Sequence, residues 1–242
     1  MKSGLVRAAL IALAFSLPAV SLAAPAVKKK APVKTSITKS NWLATAHRTA
    51  EGAIVIGNPA AKVKLVEYLS LTCPHCAMLS GEMMAPLQRD YIARGLVSLE
   101  VRHAVRDGYD FVASLLLRCE PPGRNLGSIE ALFATQNDWM AKGANAKAIP
   151  GFEAMAPDAK FATVARIAGF QDFFAKRGMN AKAFAACLAS DPGKDQLTQM
   201  AGNSWERDAI PGTPLILING ARQEGVHEWA DIEPLIKGAL KP

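Results

Sequence analysis

The chain of 242 residues is half hydrophobic and one-fifth charged, which is the composition of a globular protein and not of a disordered one. Its formal charge of +7 is unevenly placed: seven of the 28 basic residues lie in residues 1–39, which hold no acid, so the rest of the chain is neutral. That distribution excludes a basic nucleic-acid-binding domain. Four cysteines are too few for a disulfide scaffold at this length, but enough for one reactive pair and one structural pair.

Lys2 and Arg7 form a short positive segment ahead of the apolar stretch Ala8–Val20. That stretch is too short to span a bilayer, which takes about 20 residues. Ser21-Leu22-Ala23 then supplies small residues at the positions a signal peptidase reads, so residues 1–23 are expected to be a secretory signal peptide, with cleavage after Ala26 as the second choice. Residues 24–40, rich in Lys, Pro and Ala, read as a solvated linker. The mature protein is therefore expected in the periplasm, where disulfides persist.

Residues 62–70 are apolar on both faces, as a central strand is, with Val63, Leu65, Glu67 and Leu69 on one face and Val66 and Tyr68 on the other. Glu67 is thus a carboxyl set among apolar side chains, where desolvation raises its pKa. A helix is expected from Pro74 to about Ala93, bent at Gly81 and Pro86 and stopped by Gly95, followed by a strand over 96–105. Together these make a βαβ unit. Between Asp107 and Trp205 no strand pattern occurs, and helical spacing runs through Phe111–Cys119, Ile129–Met140, Phe184–Leu188 and Leu197–Ala201, the last helix opened by Asp191 as cap and Pro192 at its first position. Strand character returns at Pro214–Ile218, ends at the Asn219-Gly220 turn, and a terminal helix follows over 228–240.

Cys73-Pro74-His75-Cys76 stands at the strand-to-helix junction. Two intervening residues let the sulfurs meet across one helical turn, with the first at the helix N-terminus, where free N–H groups and the dipole favour a thiolate. A protonated His75 adds positive charge nearby. Cys73 is then the attacking or attacked sulfur and Cys76 the resolving one. A zinc half-site competes for the same pattern but needs four ligands. Cys119 and Cys187 are isolated and no second CxxC exists, so neither a metal nor a cofactor is expected. His47, His103 and His227 lack ligand spacing and read as surface or packing residues, while Arg102, Arg106 and Asp107 read as a structural ion pair.

The run Glu67-x5-Cys73-Pro74-His75-Cys76, the helical stretch, and Gly212-Thr213-Pro214 before the last strand resemble the DsbA-like branch of the thioredoxin superfamily. The resemblance covers about residues 50 to 242. It implies an α/β thioredoxin-like fold, residues 41–106 and 206–242, interrupted by an inserted all-helical domain, residues 107–205. It also implies periplasmic dithiol–disulfide exchange, with Cys73 as nucleophile, Cys76 resolving, Pro74 and His75 tuning the pair, Glu67 as a buried acid, and Pro214 as a cis-proline facing the sulfurs with Thr213 before it. The best-known oxidases carry an aliphatic residue where Thr213 stands; threonine there also occurs in isomerases and in other DsbA-like branches. Formation of disulfides in exported proteins with free thiols, with reoxidation by an unidentified membrane partner, is the leading expectation. A disulfide isomerase or reductase kept reduced by a partner is the alternative, and an exported thiol-binding chaperone the non-enzyme reading.

Cys119 and Cys187 both fall on apolar helical stretches of an exported chain, Cys119 with Leu115 and Leu116, Cys187 with Phe184 and Leu188. They are expected to form a structural disulfide, two buried free thiols being the alternative.

Overall fold

Apolar side chains on both faces place Val63–Leu69 at the middle of a sheet, and there it lies. The computed structural model describes residues 41–241; the signal peptide expected over 1–23 and the linker over 24–40 lie outside the described residues. In chain order the elements are β1 (Ala46–Arg48), β2 (Ile54–Gly57), β3 (Val63–Leu69), α1 (Pro74–Pro86), β4 (Val97–His103), α2 (Gly108–Arg118), α3 (Pro122–Ala134), α4 (Gln136–Ala144), α5 (Pro157–Ile167), α6 (Phe170–Ala175), α7 (Ala181–Leu188), α8 (Asp191–Gly202), β5 (Leu215–Ile218), β6 (Ala221–Gln223) and α9 (Trp229–Leu240). This is a mixed α/β fold, a sheet with a helical insertion between β4 and β5.

The sheet order is β1-β2-β4-β3-β5-β6. β3 and β4, joined through α1, run parallel, and the other neighbours are antiparallel. Strands β1, β2 and β6 carry no strand signal that the sequence reading found. They have three, four and three residues, too few for an alternation to show, and their pairing partners hold them. The turn between β5 and β6 puts Asn219 at φ 50° and Gly220 at φ 83°, the left-handed pair a two-residue hairpin requires.

After Cys73, Pro74 takes the first helical position, where its missing N–H costs nothing. Cys76, Leu79, Met83 and Met84 line the buried face of α1 at helical spacing. Pro86 is the last residue of α1, and the chain continues as one π-helical stretch, Leu87–Ile92, before Gly95 at φ 72° ends it. The expected helix is therefore two segments, divided where Pro86 brings no N–H to the ladder.

Val63, Leu65 and Leu69 of β3 join a core that takes in α1, α9 and the inner faces of the insertion, including Leu115, Leu132, Trp139, Phe170 and Phe174. The opposite face carries a small cluster of Val66, Tyr68, Ala104, Ile210 and Leu215. Sheet and insertion thus share one continuous core. Among the described residues no helix is long and apolar enough to cross a membrane.

Two local readings need correction. Asp107 makes no ion pair among the described residues. Its carboxylate caps α2, accepting from the N–H groups of Tyr109 and Asp110, while Arg102 pairs with Glu100 at 2.7 Å and Asp208 at 3.7 Å. An aspartate before a helix has free amides within reach, and these take the carboxylate first. Asp191 is likewise the first residue of α8 and not its cap, because the Ser190 hydroxyl accepts from Gly193 N–H.

Cys119 follows the last residue of α2 and is exposed, whereas Cys187 is buried on α7; a disulfide joins them across a separation of 68 residues, tying the first helix of the insertion to a late one. On the chain-entropy account a closed loop of that size is worth about 4 kcal/mol. The double variant Cys119→Ala/Cys187→Ala is expected to lose roughly 10 °C of thermal midpoint by calorimetry, yet keep most of the disulfide-exchange activity of the parent. A midpoint that stays in place would show that the bridge contributes nothing.

Candidate active site

Cys73 is the N-cap of α1 and is only 2 % exposed, while Pro74 and His75 are exposed on the first turn. Cys76, one turn on, is fully buried. Both cysteines are thiols in this structure. The Cys73 sulfur donates to the Thr213 carbonyl at 3.1 Å, which brings the segment before β5 against the start of α1. The Thr213–Pro214 peptide bond is cis and Pro214 is buried. The fold thus gathers Cys73, Cys76, His75, Pro74, Thr213 and Pro214 at one end of the central strands.

The two sulfurs are electrostatic opposites. The Cys73 thiol is pulled down to about 4, foremost by the hydrogen bond from the Cys76 thiol. Burial works against this. The Thr213 hydroxyl and the backbone N–H groups of Cys76 and His75 assist it. In the thiol form that hydroxyl is buried without a hydrogen-bond partner among the described residues, so the Cys73 thiolate gives it an acceptor. Cys76 moves the other way, held well above the ordinary thiol range by burial first, then by its bond to Cys73 and the charge of Glu67.

Glu67 is completely buried on β3, and neither carboxyl oxygen has a hydrogen-bond partner among the described residues. Its register partners are Val101 on β4 and Ile216 on β5, both fully buried, so the carboxyl sits in an apolar row across three strands. Burial alone pushes it up to about 8. It is therefore a carboxylic acid at neutral pH, and only once ionised does its charge act on Cys76.

Two grooves flank the cysteines. One, about 260 Å³, runs from Pro211–Leu215 to Gln223–His227 beside the cis bond. The other, about 350 Å³, lies between Pro74, Ala77 and Met78 of α1 and residues 133–138 of the insertion. Met78 on its rim is 61 % exposed, an unusual position for a large apolar side chain. Among the described residues no cluster of His, Cys, Asp or Glu could hold a metal ion. His47 and His227 are exposed and lie apart from the sulfurs in the chain, while His103 is buried and pushed down to about 3 by desolvation and the cations Arg118 and Arg48.

Sequence reasoning missed Ser70, Asp110 and Gln136, which surround the turn ahead of Cys73. No motif announces them, because Asp110 and Gln136 meet Leu71 from 39 and 65 residues away in the chain.

Burial of Glu67 has a thermodynamic consequence. Its folded-state pKa, about 8, lies above the ordinary 4.5, so the native state keeps a proton that the unfolded chain releases. The stability this contributes is complete below pH 4.5 and is lost as the pH rises through about 8. The whole effect is roughly 5 kcal/mol. In the reduced protein, Glu67→Gln is expected to melt higher than the parent by a margin that widens from about pH 5 to pH 8. Melting curves that stay parallel over that range would show that the carboxyl is solvated or paired.

A protein-family model described as "Thioredoxin" matches residues 49–238. The crystal structure of a protein-disulfide isomerase from Novosphingobium aromaticivorans superposes with a TM-score of 0.73 at 30 % identity, covering 80 % of this chain and 100 % of that one. Wolbachia pipientis alpha-DsbA1 superposes with a TM-score of 0.62 at 19 % identity, covering 77 % of this chain and 89 % of that one, a likeness of fold. The Rickettsia felis protein named "Putative protein-disulfide oxidoreductase" is 25 % identical over 190 residues, 78 % of this chain and 60 % of its own length. A Rickettsia bellii protein of the same name is 36 % identical over 70 residues, 29 % of this chain and 27 % of its own length. The matches thus span from about a quarter to about three fifths of these two curated relatives. The chain belongs to the thioredoxin family, in the DsbA-like form of its fold.

Proposed function

We propose that the protein is a periplasmic thiol–disulfide oxidoreductase that passes the Cys73–Cys76 disulfide to exported proteins. The observation that carries this reading is Cys73 at the cap of α1, its sulfur 3.1 Å from the Thr213 carbonyl and its thiol drawn down to about 4. At neutral pH a thiol of that acidity is ionised, which favours the reduced enzyme over one with an un-ionised thiol. The couple is thereby shifted toward the oxidising side. A pair whose reduced form is so favoured gives its disulfide away.

The exchange proceeds in two displacements. A substrate thiolate attacks the Cys73 sulfur; the Cys73–Cys76 bond breaks and its electron pair goes to Cys76. The Cys76 sulfur is a poor resting place for charge, since burial opposes ionisation there. Glu67, a carboxylic acid below about pH 8, is the proton source for it. A second substrate thiolate then attacks the substrate sulfur of the mixed disulfide and expels Cys73 as a thiolate. The substrate leaves with one new disulfide, the enzyme with two reduced cysteines, and a membrane partner must take those electrons to restore the disulfide. The groove along Thr213 and Pro214 suits an extended peptide lying beside Cys73.

A second reading has its own support. The Novosphingobium protein, 30 % identical and covered over its whole length, bears the name of a disulfide isomerase. An isomerase holds Cys73 reduced and uses it to open wrong bonds before releasing them rearranged. Equilibration with glutathione buffers separates the two. A potential well above that of thioredoxin, which is about −270 mV, is expected, together with rapid oxidation of a reduced test protein by stoichiometric oxidised enzyme. A thioredoxin-like potential would overturn the oxidase reading, and rescue of a scrambled disulfide protein by the reduced enzyme, with little net oxidation of a reduced one, would replace it by the isomerase. Cys73→Ser is expected to abolish both activities; a chaperone function that survives Cys73→Ala would point to the non-enzymatic role.

A further inference from the structure

The chain passes from the end of β3 to Pro74 through four buried or nearly buried residues, Ser70, Leu71, Thr72 and Cys73. Such a turn cannot rely on water for its polar groups, so each must find a protein partner. The partners come from the helical insertion. Asp110, completely buried on the first turn of α2, accepts from Leu71 N–H at 3.0 Å and from the Ser70 hydroxyl at 2.6 Å. The same carboxyl accepts from Arg106 N–H at 3.0 Å and the Ser114 hydroxyl at 3.1 Å. Gln136, first residue of α4 and 5 % exposed, donates its side-chain amide to the carbonyls of Leu71, at 2.8 Å, and Cys73, at 3.0 Å. Asp107 holds the turn at its middle, accepting from the Thr72 hydroxyl at 2.7 Å.

We propose that Asp110 and Gln136 are positioning residues that clamp the Ser70–Cys73 turn and so aim the Cys73 sulfur at the donors that stabilise its thiolate.

Asp110 forms no ion pair among the described residues. A buried carboxyl without a cation is costly, and a packed apolar residue would serve a purely structural need at least as well. What an apolar residue cannot do is take two donors from the turn and two from its own helix region at once. Gln136 reaches further, because the carbonyl it holds belongs to the reacting cysteine itself. The sulfur of Cys73 is set by that residue's backbone. A displacement well under an ångström would weaken its contacts with Cys76, Thr213 and the first-turn amides, and displacements of that size are costly in reactions that depend on alignment.

This inference rests on Cys73 being the exchanging sulfur, so the readout is chosen to see the sulfur and not only turnover. Reduced Gln136→Met and Asp110→Asn are titrated by the ultraviolet absorbance of the thiolate, and the exchange of their oxidised forms with reduced glutathione, in which Cys73 is the sulfur finally expelled, is timed near neutral pH. Phe174→Leu, in the insertion core and without a hydrogen bond to the turn, serves as the control for general loosening. Both variants are expected to titrate Cys73 at higher pH than the parent and, because a less stabilised thiolate is a poorer leaving group, to release glutathione disulfide on the order of ten-fold more slowly, with Phe174→Leu unchanged in both respects. Folded Gln136→Met that titrates and exchanges like the parent would overturn the proposal, as would a Phe174→Leu effect of equal size. If Asp110→Asn does not fold, Gln136→Met alone decides. A shifted Cys73 titration in a protein that exchanges with no disulfide at all would keep the clamp and discard the oxidoreductase reading.

Discussion

A sulfur at the cap of a helix is stabilised as an anion only if the helix begins at that residue and nowhere else. Pro74 sees to this by following Cys73 at once, since it has no N–H to extend the ladder backward and its fixed φ suits a first helical position. The amides of His75 and Cys76, freed by the helix start, then face the sulfur. Cys76 lies one turn on, pointing into the core between α1 and the sheet. Everything chemically unequal about the two cysteines follows from that one junction. The first sulfur collects donors at the surface end of the dipole, and the second is wrapped in hydrocarbon.

Much of this was legible in the sequence because it is local. Cys73-Pro74-His75-Cys76 states its own geometry, and the alternation of β3 puts Glu67 on the same face as Val63, Leu65 and Leu69. The terminal hairpin announces itself through Asn219-Gly220. The helical insertion was readable from its spacing and from the lack of strands, although its caps were misplaced by one residue at Asp191 and misread at Asp107. What could not be read depends on distant partners. Strands β1 and β2 exist because β4 offers an edge to β2, which in turn pairs with β1. Gln136 is an unremarkable polar residue in sequence and becomes part of the site only when α4 packs beside the turn it holds. The exposure of Cys119, just past the end of α2, was likewise hidden, since helical spacing alone places it with Leu115 and Leu116.

The insertion is therefore more than a cover. Its core is continuous with that of the sheet, its first helix and its third both bond to the turn before Cys73, and its residues 133–138 form one wall of a groove beside Met78. A thioredoxin sheet without these helices would leave Leu71 N–H and the Leu71 and Cys73 carbonyls to compete for water. The disulfide between Cys119 and Cys187 acts one step further out, holding α2, which carries Asp107's cap and Asp110, against α7.

Glu67 completes the asymmetry from the opposite direction. A carboxyl across from Val101 and Ile216 destabilises its own charged form, so at neutral pH the central strand carries a proton it can release inward. That proton is of no use to Cys73, whose thiolate is already favoured. In the proposed exchange it serves Cys76, whose ionisation is opposed by burial. Two anions in that volume would repel one another, and so would three. The arrangement keeps a single negative charge among Cys73, Cys76 and Glu67 near neutral pH and puts it on Cys73, the sulfur proposed to meet the substrate.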